Sequence, residues 1–448
     1  MSSLKKLAIR GTIWTIAGYG ASQVLRLGGN LILTRLLEPR LFGLMALVYV
    51  FITGLHLFSD LGIGTSVVQN KRGDDPAFLN TAWTLQVVRG IFLWLCSLLL
   101  AWPVAQFYNE QQFLWLIPVV ALTALISGFN STAIYTLNRH MAVSQVAIFE
   151  FGRQVISLAV TIVWASVDHS IRALVIGTLV SELVGLVWSY RMIPNSSNHF
   201  AWDKESAKEL FSFGKWIFLS TAVTFFAEQA DRLIFGKLVP LETLGVYGVA
   251  LTFADLPRSV TLALSGKVIF PAISKLTDLP RQEIRAKLNH NRKPILIALA
   301  FCLTVLVSFG DILIDLLYDK RYIDAAWMLP ILALGIWPRM LCNTNEPSLF
   351  AIGKPQYSTF ANFSRFLCTS VGVLVGFSLL KVPGAIIAIA LNDLIFYLVI
   401  NYGLWRERLS GLRQDFLATV LLVALLAVVL TGRFYLGLGL PIDGLLYQ

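Results

Sequence analysis

Thirteen stretches of mostly apolar residues recur along this 448-residue chain. A helix that crosses a bilayer needs about 20 such residues, and its backbone polar groups are all hydrogen-bonded within the segment. The stretches cover residues 11–33, 42–66, 79–103, 113–137, 144–167, 171–190, 210–235, 243–270, 294–317, 325–350, 356–380, 382–404 and 414–432. They predict an all-α integral membrane protein with about 13 transmembrane helices, in a range of about 12 to 14.

The composition excludes the other classes of protein. Hydrophobic residues make up 56% of the chain and charged residues only 14%, whereas a soluble domain carries about 25% charged residues. A soluble multidomain protein, a disordered chain, a collagen-like fibre and a disulfide scaffold are therefore excluded. The four Cys lie in apolar stretches, and we interpret them as buried packing residues without a redox role.

The positive charges predict the orientation in the membrane. With a cytoplasmic N-terminus, the inner connections carry 19 of the 36 Lys and Arg residues and the outer connections carry 8. Because cytoplasmic loops are enriched in Lys and Arg, we expect a multi-pass protein of the cell (inner or plasma) membrane with its N-terminus inside. The net charge of +10 reflects this bias, and no basic run with interleaved aromatic residues indicates nucleic-acid binding. Residues 275–293 are basic and mildly amphipathic, which fits either a helix on the anionic inner surface or a solvated loop.

A weak internal repeat predicts two lobes. When residues 6–51 are shifted by 202 positions, seven of 46 residues are identical, among them Trp14 with Trp216 and Gly43 with Gly245. Six predicted helices separate the copies, so the two halves share an orientation. We expect two pseudo-symmetric six-helix bundles around a central cleft, which is a transporter layout. The predicted parts are an N-terminal lobe (1–190), a cytoplasmic linker (191–208), a C-terminal lobe (209–404) and an additional C-terminal transmembrane helix with a tail (405–448).

Charged residues within the predicted helices are the candidates for function, because a charge at mid-bilayer costs about 2.5–3.5 kcal/mol. Opposite charges three or four residues apart can neutralise each other on one helix. This spacing predicts three ion pairs: Glu150 with Arg153, Asp255 with Arg258, and Glu228 with Arg232. Each pair could have a purely structural role.

Five cations in the spans have no acid at these spacings, namely Arg26, Arg89, Lys215, Arg339 and Arg365. Lys215 lies near a helix start, from which it can extend to the membrane surface. The four Arg would together cost about 12 kcal/mol if they faced lipid. We therefore expect a wet, cationic cleft that selects an anion, and Arg can hold phosphate oxygens bidentately while it stays charged. The candidate substrate-binding residues are Arg26, Arg89, Arg258, Arg339 and Arg365.

Acidic residues in the spans are candidates for coupling to H⁺ or Na⁺. Glu228 and Asp231 are three residues apart, so they share a helix face on which like charges favour proton uptake. The candidates are Glu228, Asp231, Glu182 and Asp393. Under the repeat Arg26 aligns with Glu228, and we expect these two side chains to approach each other in the empty cleft.

Gly and Pro residues next to Arg predict helix hinges. The candidates are Gly28, Gly29, Pro257 and Pro338. Ordinary irregularity of helix packing would give the same pattern, because Gly and Pro are common in membrane helices. Gly372 and Gly376 form a GxxxG motif, which predicts close helix packing.

Enzyme motifs are absent from the sequence. It contains no P-loop, GxSxG or HExxH, and its five His have no metal-ligand spacing. We therefore expect no catalytic residue, no metal site and no cofactor apart from a coupling ion.

Three N-terminal stretches carry a family resemblance: LTRLLEPRLFGLMALVYVF (33–51), LFSDLGIGTSVVQNKR (57–72) and LNTAWTLQVVRGI (79–91). They resemble the polysaccharide transporter family, the O-antigen and exopolysaccharide flippases of the multidrug/oligosaccharidyl-lipid/polysaccharide (MOP) superfamily. The resemblance implies alternating access by two six-helix bundles. It implies movement of an undecaprenyl-diphosphate-linked oligosaccharide to the outer leaflet, with proton or sodium coupling. It also implies that Arg26 and Arg258 line the cavity, as Arg residues do in related lipid flippases.

The resemblance leaves the helix number and the partners as expectations. Such flippases often carry fourteen helices, whereas this sequence reaches LGLGLPIDGLLYQ where a fourteenth would begin, as in a thirteen-helix variant or a truncated one. The expected partners are the lipid-linked oligosaccharide, the bilayer, and a polysaccharide polymerase and glycosyltransferases of the same pathway. Two alternatives remain, a drug/cation antiporter of the same fold and an integral-membrane enzyme of glycan assembly. An antiporter would favour acids over unpaired Arg in its cleft.

Overall fold

The computed structural model describes residues 3–59, 62–193, 198–276 and 278–445, with side chains throughout except at 3–17, 143 and 211–220. Within these ranges the chain forms helices joined by turns and contains no strand. It divides into two compact units, residues 1–222 and 223–448. The predicted all-α fold is thus confirmed, whereas the predicted lobe boundaries and pseudo-symmetry stay predictions.

The N-terminal unit is built from long helices interrupted by short ones. They are α1 (Ser3–Leu36), α2 (Pro39–Phe58), α3 (Ile63–Gln69), α4 (Pro76–Tyr108), α5 (Phe113–Gly128), α6 (Ala133–Arg139), α7 (Val143–Val167) and α8 (Arg172–Ser189). Helix α9 (Lys204–Leu238) begins in this unit and ends in the next, and its first residues lie within the segment predicted as a linker.

The C-terminal unit continues with α10 (Leu241–Ala254), α11 (Leu256–Leu264), a π-helical turn (Ser265–Ile269) and α12 (Phe270–Ser274). The remaining helices are α13 (Arg281–Leu317), α14 (Asp324–Gly335), α15 (Trp337–Ala351), α16 (Gln356–Arg406) and α17 (Leu412–Tyr435). The segment 275–293 is neither a separate surface helix nor a loop as a whole, because its residues from Arg281 onward are the first turns of α13. After α17 the described residues form turns and a 3₁₀ turn at Asp443–Leu445.

Among the described residues, eight helices are long and apolar enough to cross a membrane, or nine when the bent pair α5 and α6 counts as one span. Helices α1 and α9 are not in this set. Helix α16 has 51 residues and non-helical backbone angles at Leu380 and Lys381. A straight helix of that length would be about 75 Å long, far more than the hydrocarbon thickness of about 30 Å, so it consists of two arms. Its bend lies at the boundary of the predicted spans 356–380 and 382–404. The predicted total of 13 transmembrane helices stays a prediction.

Four predicted spans are interrupted in the structure. The span 42–66 is wrong at its end, because α2 ends at Phe58 and α3 follows separately. The span 113–137 consists of α5 and α6, bent by 62°. The spans 243–270 and 325–350 break before α11 and α15, where Pro257 and Pro338 stand in the first turn. Proline lacks the backbone N–H donor and fits best in the first turn of a helix, so Pro257 and Pro338 favour new helix starts at these two breaks.

Close backbone approaches explain several of the glycines. Helix α1 is unbroken at Gly28 and Gly29, and a hinge at this place stays a prediction. A Cβ at Gly29 would lie 2.5 Å from Leu158 of α7, which shows that Gly29 is a packing position. A Cβ at Gly376 would lie 2.3 Å from the Gly384 carbonyl on the other arm of α16. The close packing predicted from the GxxxG motif is confirmed.

The predicted burial of the cysteines is confirmed only in part. Cys342 is buried, Cys96 and Cys368 are partly buried, and Cys302 is exposed on α13. All four are free thiols.

Candidate functional site

An ion-pair triad occupies the break between α10 and α11. The Nε atom of Arg258 lies 2.6 Å from Asp255 Oδ1, and its Nη2 atom lies 3.9 Å from Glu228 Oε1 on α9. The predicted pair of Asp255 and Arg258 is therefore present. Glu228 faces Arg258 rather than Arg232, whose Nη1 donates to Gln229 Oε1 at 3.0 Å.

The two arms of α16 bring together a second pair. Arg365 on the first arm lies 2.9 Å (Nε to Oδ1) from Asp393 on the second arm, and both side chains are buried. Asn392 Nδ2 donates to Thr369 Oγ1 at 3.0 Å and thus bridges the same arms. The sequence placed Arg365 and Asp393 among the residues without partners, which is wrong for both.

Arg339, in the first turn of α15, is 8% exposed. Its guanidinium carbon lies 3.6 Å from the ring centroid of Phe396, in a cation–π contact. In the described part of the chain no carboxylate lies within salt-bridge distance of it, and its Nη1 atom has no hydrogen-bond partner. Electrostatic attraction comes from Glu346, seven residues further along the chain.

Asp231 on α9 accepts a hydrogen bond from the hydroxyl of Tyr247 on α10, and Tyr247 is completely buried. Tyr247 could not be found from the spacing of charges on one helix, because it is uncharged and lies on a different helix from Asp231. Asp231 and Asp393 both interact electrostatically with Arg258, and Arg365 and Asp393 interact with Arg339.

These residues form one charged cluster in the C-terminal unit, consisting of Glu228, Asp231, Asp255, Arg258, Arg339, Arg365 and Asp393. It contains four acids and three Arg, so the expected surplus of positive charge is not found in this cluster. Most of the cations are balanced by a carboxylate within ion-pair distance. Arg339 is the Arg of this cluster that has no carboxylate within ion-pair distance among the described residues.

In the N-terminal unit, the side chain of Arg89 on α4 contacts the C-terminal end of α2. Arg89 Nε donates to Ser59 Oγ at 2.9 Å, and its Nη2 donates to the His56 carbonyl at 2.8 Å. A guanidinium at this position donates to a carbonyl of the last helical turn and complements the negative end of the helix dipole. Arg89 therefore has a structural role at a helix end, and its contact with substrate stays a prediction.

A polar cavity of about 130 Å³ lies beside Arg89, at the bend between α5 and α6. Gln86 Nε2 donates to the carbonyls of Ser127, Gly128 and Asn130, and Tyr135 donates to Gln86 Oε1 at 3.0 Å. The interruption of a helix frees carbonyl groups, and Gln86 satisfies them from the neighbouring helix. The sequence does indicate this site, because four polar residues stand within apolar stretches: Gln86, Ser127, Asn130 and Tyr135. They were not among the predicted site residues.

Two further predicted residues have different surroundings than expected. Arg153 forms an ion pair with Glu182 on α8, so the predicted pairing with Glu150 and the unpaired state of Glu182 are wrong. Arg26 on α1 is exposed, and no ion pair to another described residue is formed. Its predicted approach to Glu228 and the role of Lys215, whose side chain is outside the described residues, stay predictions.

Two buried ion pairs were missed. Arg292 on α13 is 1% exposed and lies 2.5 Å (Nη1 to Oδ1) from Asp415 on α17. Arg433 on α17 is 3% exposed, and its Nη1 lies 2.7 Å from Asp311 Oδ1 on α13. Both Arg were predicted to lie in loops. Asp311 and Asp415 lie within predicted spans, and an acid there indicates that a basic partner is buried beside it.

A family model described as "Polysaccharide biosynthesis protein" matches residues 32–327. This covers more than half of the chain. The chain belongs to this polysaccharide biosynthesis protein family. The family predicted from the N-terminal stretches is confirmed, since the match begins where the first stretch does.

Three known proteins similar to this chain are consistent with its membership of this family. The teichuronic acid biosynthesis protein TuaB of Bacillus subtilis is 23% identical over 83% of this chain and 78% of its own length. The lipid II flippase MurJ in an inward closed conformation superposes with a TM-score of 0.74 at 14% identity, over 94% of this chain and 92% of that chain. An inward-facing multidrug resistance MATE transporter of the MOP superfamily gives a TM-score of 0.67 at 14% identity, over 86% and 94%. The chain shares its fold with these two transporters.

Proposed function

We propose that this protein is a flippase for an anionic, undecaprenyl-diphosphate-linked oligosaccharide. It moves this lipid from the cytoplasmic to the outer leaflet of the cell membrane by alternating access, for export of a surface polysaccharide. Support comes from the family, from the relative that acts in teichuronic acid biosynthesis and from the fold shared with a lipid II flippase. In this proposal the N-terminus is cytoplasmic, glycosyltransferases supply the substrate and a polymerase consumes the product.

The observation that carries the proposal is the state of Arg339. Its guanidinium is buried against Phe396 and has no carboxylate within ion-pair distance among the described residues. A buried charge without a counter-ion is costly, so a bound anion repays that cost. A diphosphate supplies the negative charge and the oxygen acceptors that a guanidinium fork binds best. Arg26 and Arg258 are the further residues proposed to contact the substrate.

Coupling to H⁺ or Na⁺ is proposed at the acids of the charged cluster. Asp231 accepts a hydrogen bond from Tyr247, and Glu228 lies 3.9 Å from Arg258, so a change in either carboxylate alters the ion pairs around Arg258. A cation that binds here would compete with Arg258 for its acids. This would free the guanidinium for an anionic substrate.

The test is a deletion followed by complementation. Without the protein, the lipid-linked oligosaccharide should accumulate in the inner leaflet and the surface polysaccharide should disappear, provided that paralogues are deleted as well. Outward appearance of the lipid at the normal rate would overturn the flippase proposal. The Arg339→Ala variant should insert into the membrane normally but should not restore export. The Arg339→Lys variant should restore part of the export. Arg321→Ala, which removes a cation outside the cluster that pairs with Asp319, is the matched control and should export normally.

A drug/cation antiporter is the second candidate, favoured by the four acids of the charged cluster and by the fold shared with a MATE transporter. It predicts that the deletion strain becomes sensitive to cationic drugs while its surface polysaccharide stays normal. The flippase proposal predicts the opposite pair of results, so one strain distinguishes the two.

A further inference from the structure

A groove of about 510 Å³ runs between α13 and α17 in the C-terminal unit. None of its lining residues belongs to the charged cluster. One end is lined by cations and the other by aliphatic side chains, so its two ends differ sharply in chemistry.

The cationic end consists of Arg285, Lys293 and Arg413, and all three side chains are exposed. The lining contains no acid. Among the described residues no carboxylate lies within ion-pair distance of these three cations. Asp415 is the nearest acid along α17, and its carboxylate already contacts Arg292. Three cations without counter-ions at one place favour an anionic ligand.

The aliphatic end consists of Leu296 and Ile297 on α13 and Leu417 and Leu421 on α17. Eight residues separate Arg413 from Leu421, which corresponds to about 12 Å along a helix. Half of a hydrocarbon core of about 30 Å is about 15 Å. The groove thus extends from its cations to roughly the depth of one leaflet.

We propose that this groove binds an anionic phospholipid of the bilayer. Its phosphate lies among Arg285, Lys293 and Arg413, and one acyl chain follows the aliphatic end. Basic pockets between transmembrane helices recognise anionic headgroups in this way. A zwitterionic lipid of the same length fills the apolar end but gains less from the cations, because it carries no net charge.

The bound lipid stabilises the packing of α17. At positions next to the cations in the sequence, α13 and α17 are joined by the pair of Arg292 and Asp415 and by Gln414 Nε2, which donates to the Asn289 carbonyl at 2.8 Å. Arg292 also donates to Thr344 Oγ1 at 2.6 Å and thereby reaches α15. A lipid across the same two helices strengthens this junction from the membrane side. This inference does not depend on which substrate the protein transports.

The experiment uses the full chain, purified in detergent and stripped of lipid. Phosphatidylglycerol and phosphatidylcholine with identical acyl chains are titrated separately, and bound lipid is counted by native mass spectrometry while the Tm is recorded. Phosphatidylglycerol should stay bound and raise the Tm, and phosphatidylcholine should bind more weakly and raise the Tm less. The triple variant Arg285→Ala, Lys293→Ala and Arg413→Ala should bind phosphatidylglycerol about 100-fold more weakly, at about a factor of five for each cation.

The matched control removes three exposed cations elsewhere, with Arg191→Ala, Lys204→Ala and Lys208→Ala. It has the same net charge as the triple variant and should bind phosphatidylglycerol like the wild type. If the triple variant does not fold, Leu417→Trp with Leu421→Trp tests the proposal instead. This variant fills the aliphatic end, keeps the cations and should weaken phosphatidylglycerol binding.

Several results would overturn the proposal. They are equal binding of the two lipids, equal phosphatidylglycerol binding by the wild type and the triple variant, or an equal rise in Tm with inorganic phosphate alone. Displacement of phosphatidylglycerol by an equimolar amount of undecaprenyl diphosphate would also overturn it, because the groove would then belong to the carrier lipid.

Discussion

Arg365 and Asp393 form a buried ion pair, 2.9 Å from Nε to Oδ1, across the bend of α16. Neither residue has an opposite charge within one helical turn on its own arm. The bend at Leu380 and Lys381 folds the second arm back so that the two charges meet. The pair therefore stabilises a helical hairpin within one chain segment.

The first prediction concerns this pair. Arg365→Leu or Asp393→Leu should each destabilise the protein by about 3–5 kcal/mol, because each leaves a buried charge without a partner. The double variant removes both members of the pair, so neither is left buried without the other, and its loss should be smaller than the sum of the two single losses. Equilibrium unfolding in mixed micelles measures all three variants. Losses that simply add would show that the two residues do not interact.

The second prediction concerns the glycines at the same hairpin. A Cβ at Gly384 would lie 2.0 Å from the Gly376 carbonyl, so Gly384→Ala forces the two arms apart. We expect a loss of about 1–3 kcal/mol, as for overpacking elsewhere. Gly28→Ala is the control, because no heavy atom lies within 4 Å of its Cβ position. It should be neutral or stabilising by up to about 1 kcal/mol. Equal unfolding midpoints of the two variants would contradict the close approach.

The third prediction ranks the two acids around Arg258. Asp255 lies 2.6 Å from the guanidinium, whereas Glu228 lies 3.9 Å away. Asp255→Asn should therefore lower the Tm more than Glu228→Gln does. The isosteric substitutions keep shape and hydrogen-bonding capacity, so the difference reports the charge. A larger effect of Glu228→Gln on the Tm would refute the ranking, whereas an effect on export alone would support its proposed role in coupling.

Hydropathy and charge predicted the fold class, and the N-terminal motifs predicted the family. The bend of α16 also follows from the sequence, because Lys381 and Pro383 interrupt two apolar runs. Pro257 and Pro338 were predicted as hinges within continuous spans, whereas in the structure one helix ends and another begins at each of them.

Ion pairs between helices could not be predicted from spacing. The i,i+3 rule reports neighbours on one helix, so it found Asp255 for Arg258. It could not find Glu182 for Arg153, because that contact depends on how α7 packs against α8. For the same reason Arg365 was counted among the Arg without partners, although it pairs with Asp393 on the other arm of α16.

The last prediction concerns pH and uses Asp203, which immediately precedes α9. Its carboxylate accepts hydrogen bonds from the Ser206 hydroxyl (2.5 Å) and the Ser206 N–H (3.0 Å), and Arg72 lies at 3.3 Å. These contacts, first those from Ser206 and then that from Arg72, lower the pKa of Asp203 below its usual 3.8. A lowered folded-state pKa means that stabilisation by Asp203 is fully present above about pH 4 and is lost as the pH falls through the folded-state pKa.

The Tm of the wild type should therefore exceed that of Asp203→Asn by a constant amount between about pH 8 and pH 5. This difference should shrink as the pH falls below about 4, and part of it should be screened by salt because the group is exposed. Ser206→Ala removes the strongest contact and keeps the carboxylate, so the folded-state pKa of Asp203 moves closer to its unfolded-state value, and the Tm of this variant should decline less than that of the wild type as the pH falls below about 4. Thermal unfolding at fixed ionic strength across this range measures the effect. A difference that persists undiminished to about pH 2.5 would mean that Asp203 does not stabilise the start of α9 as a carboxylate.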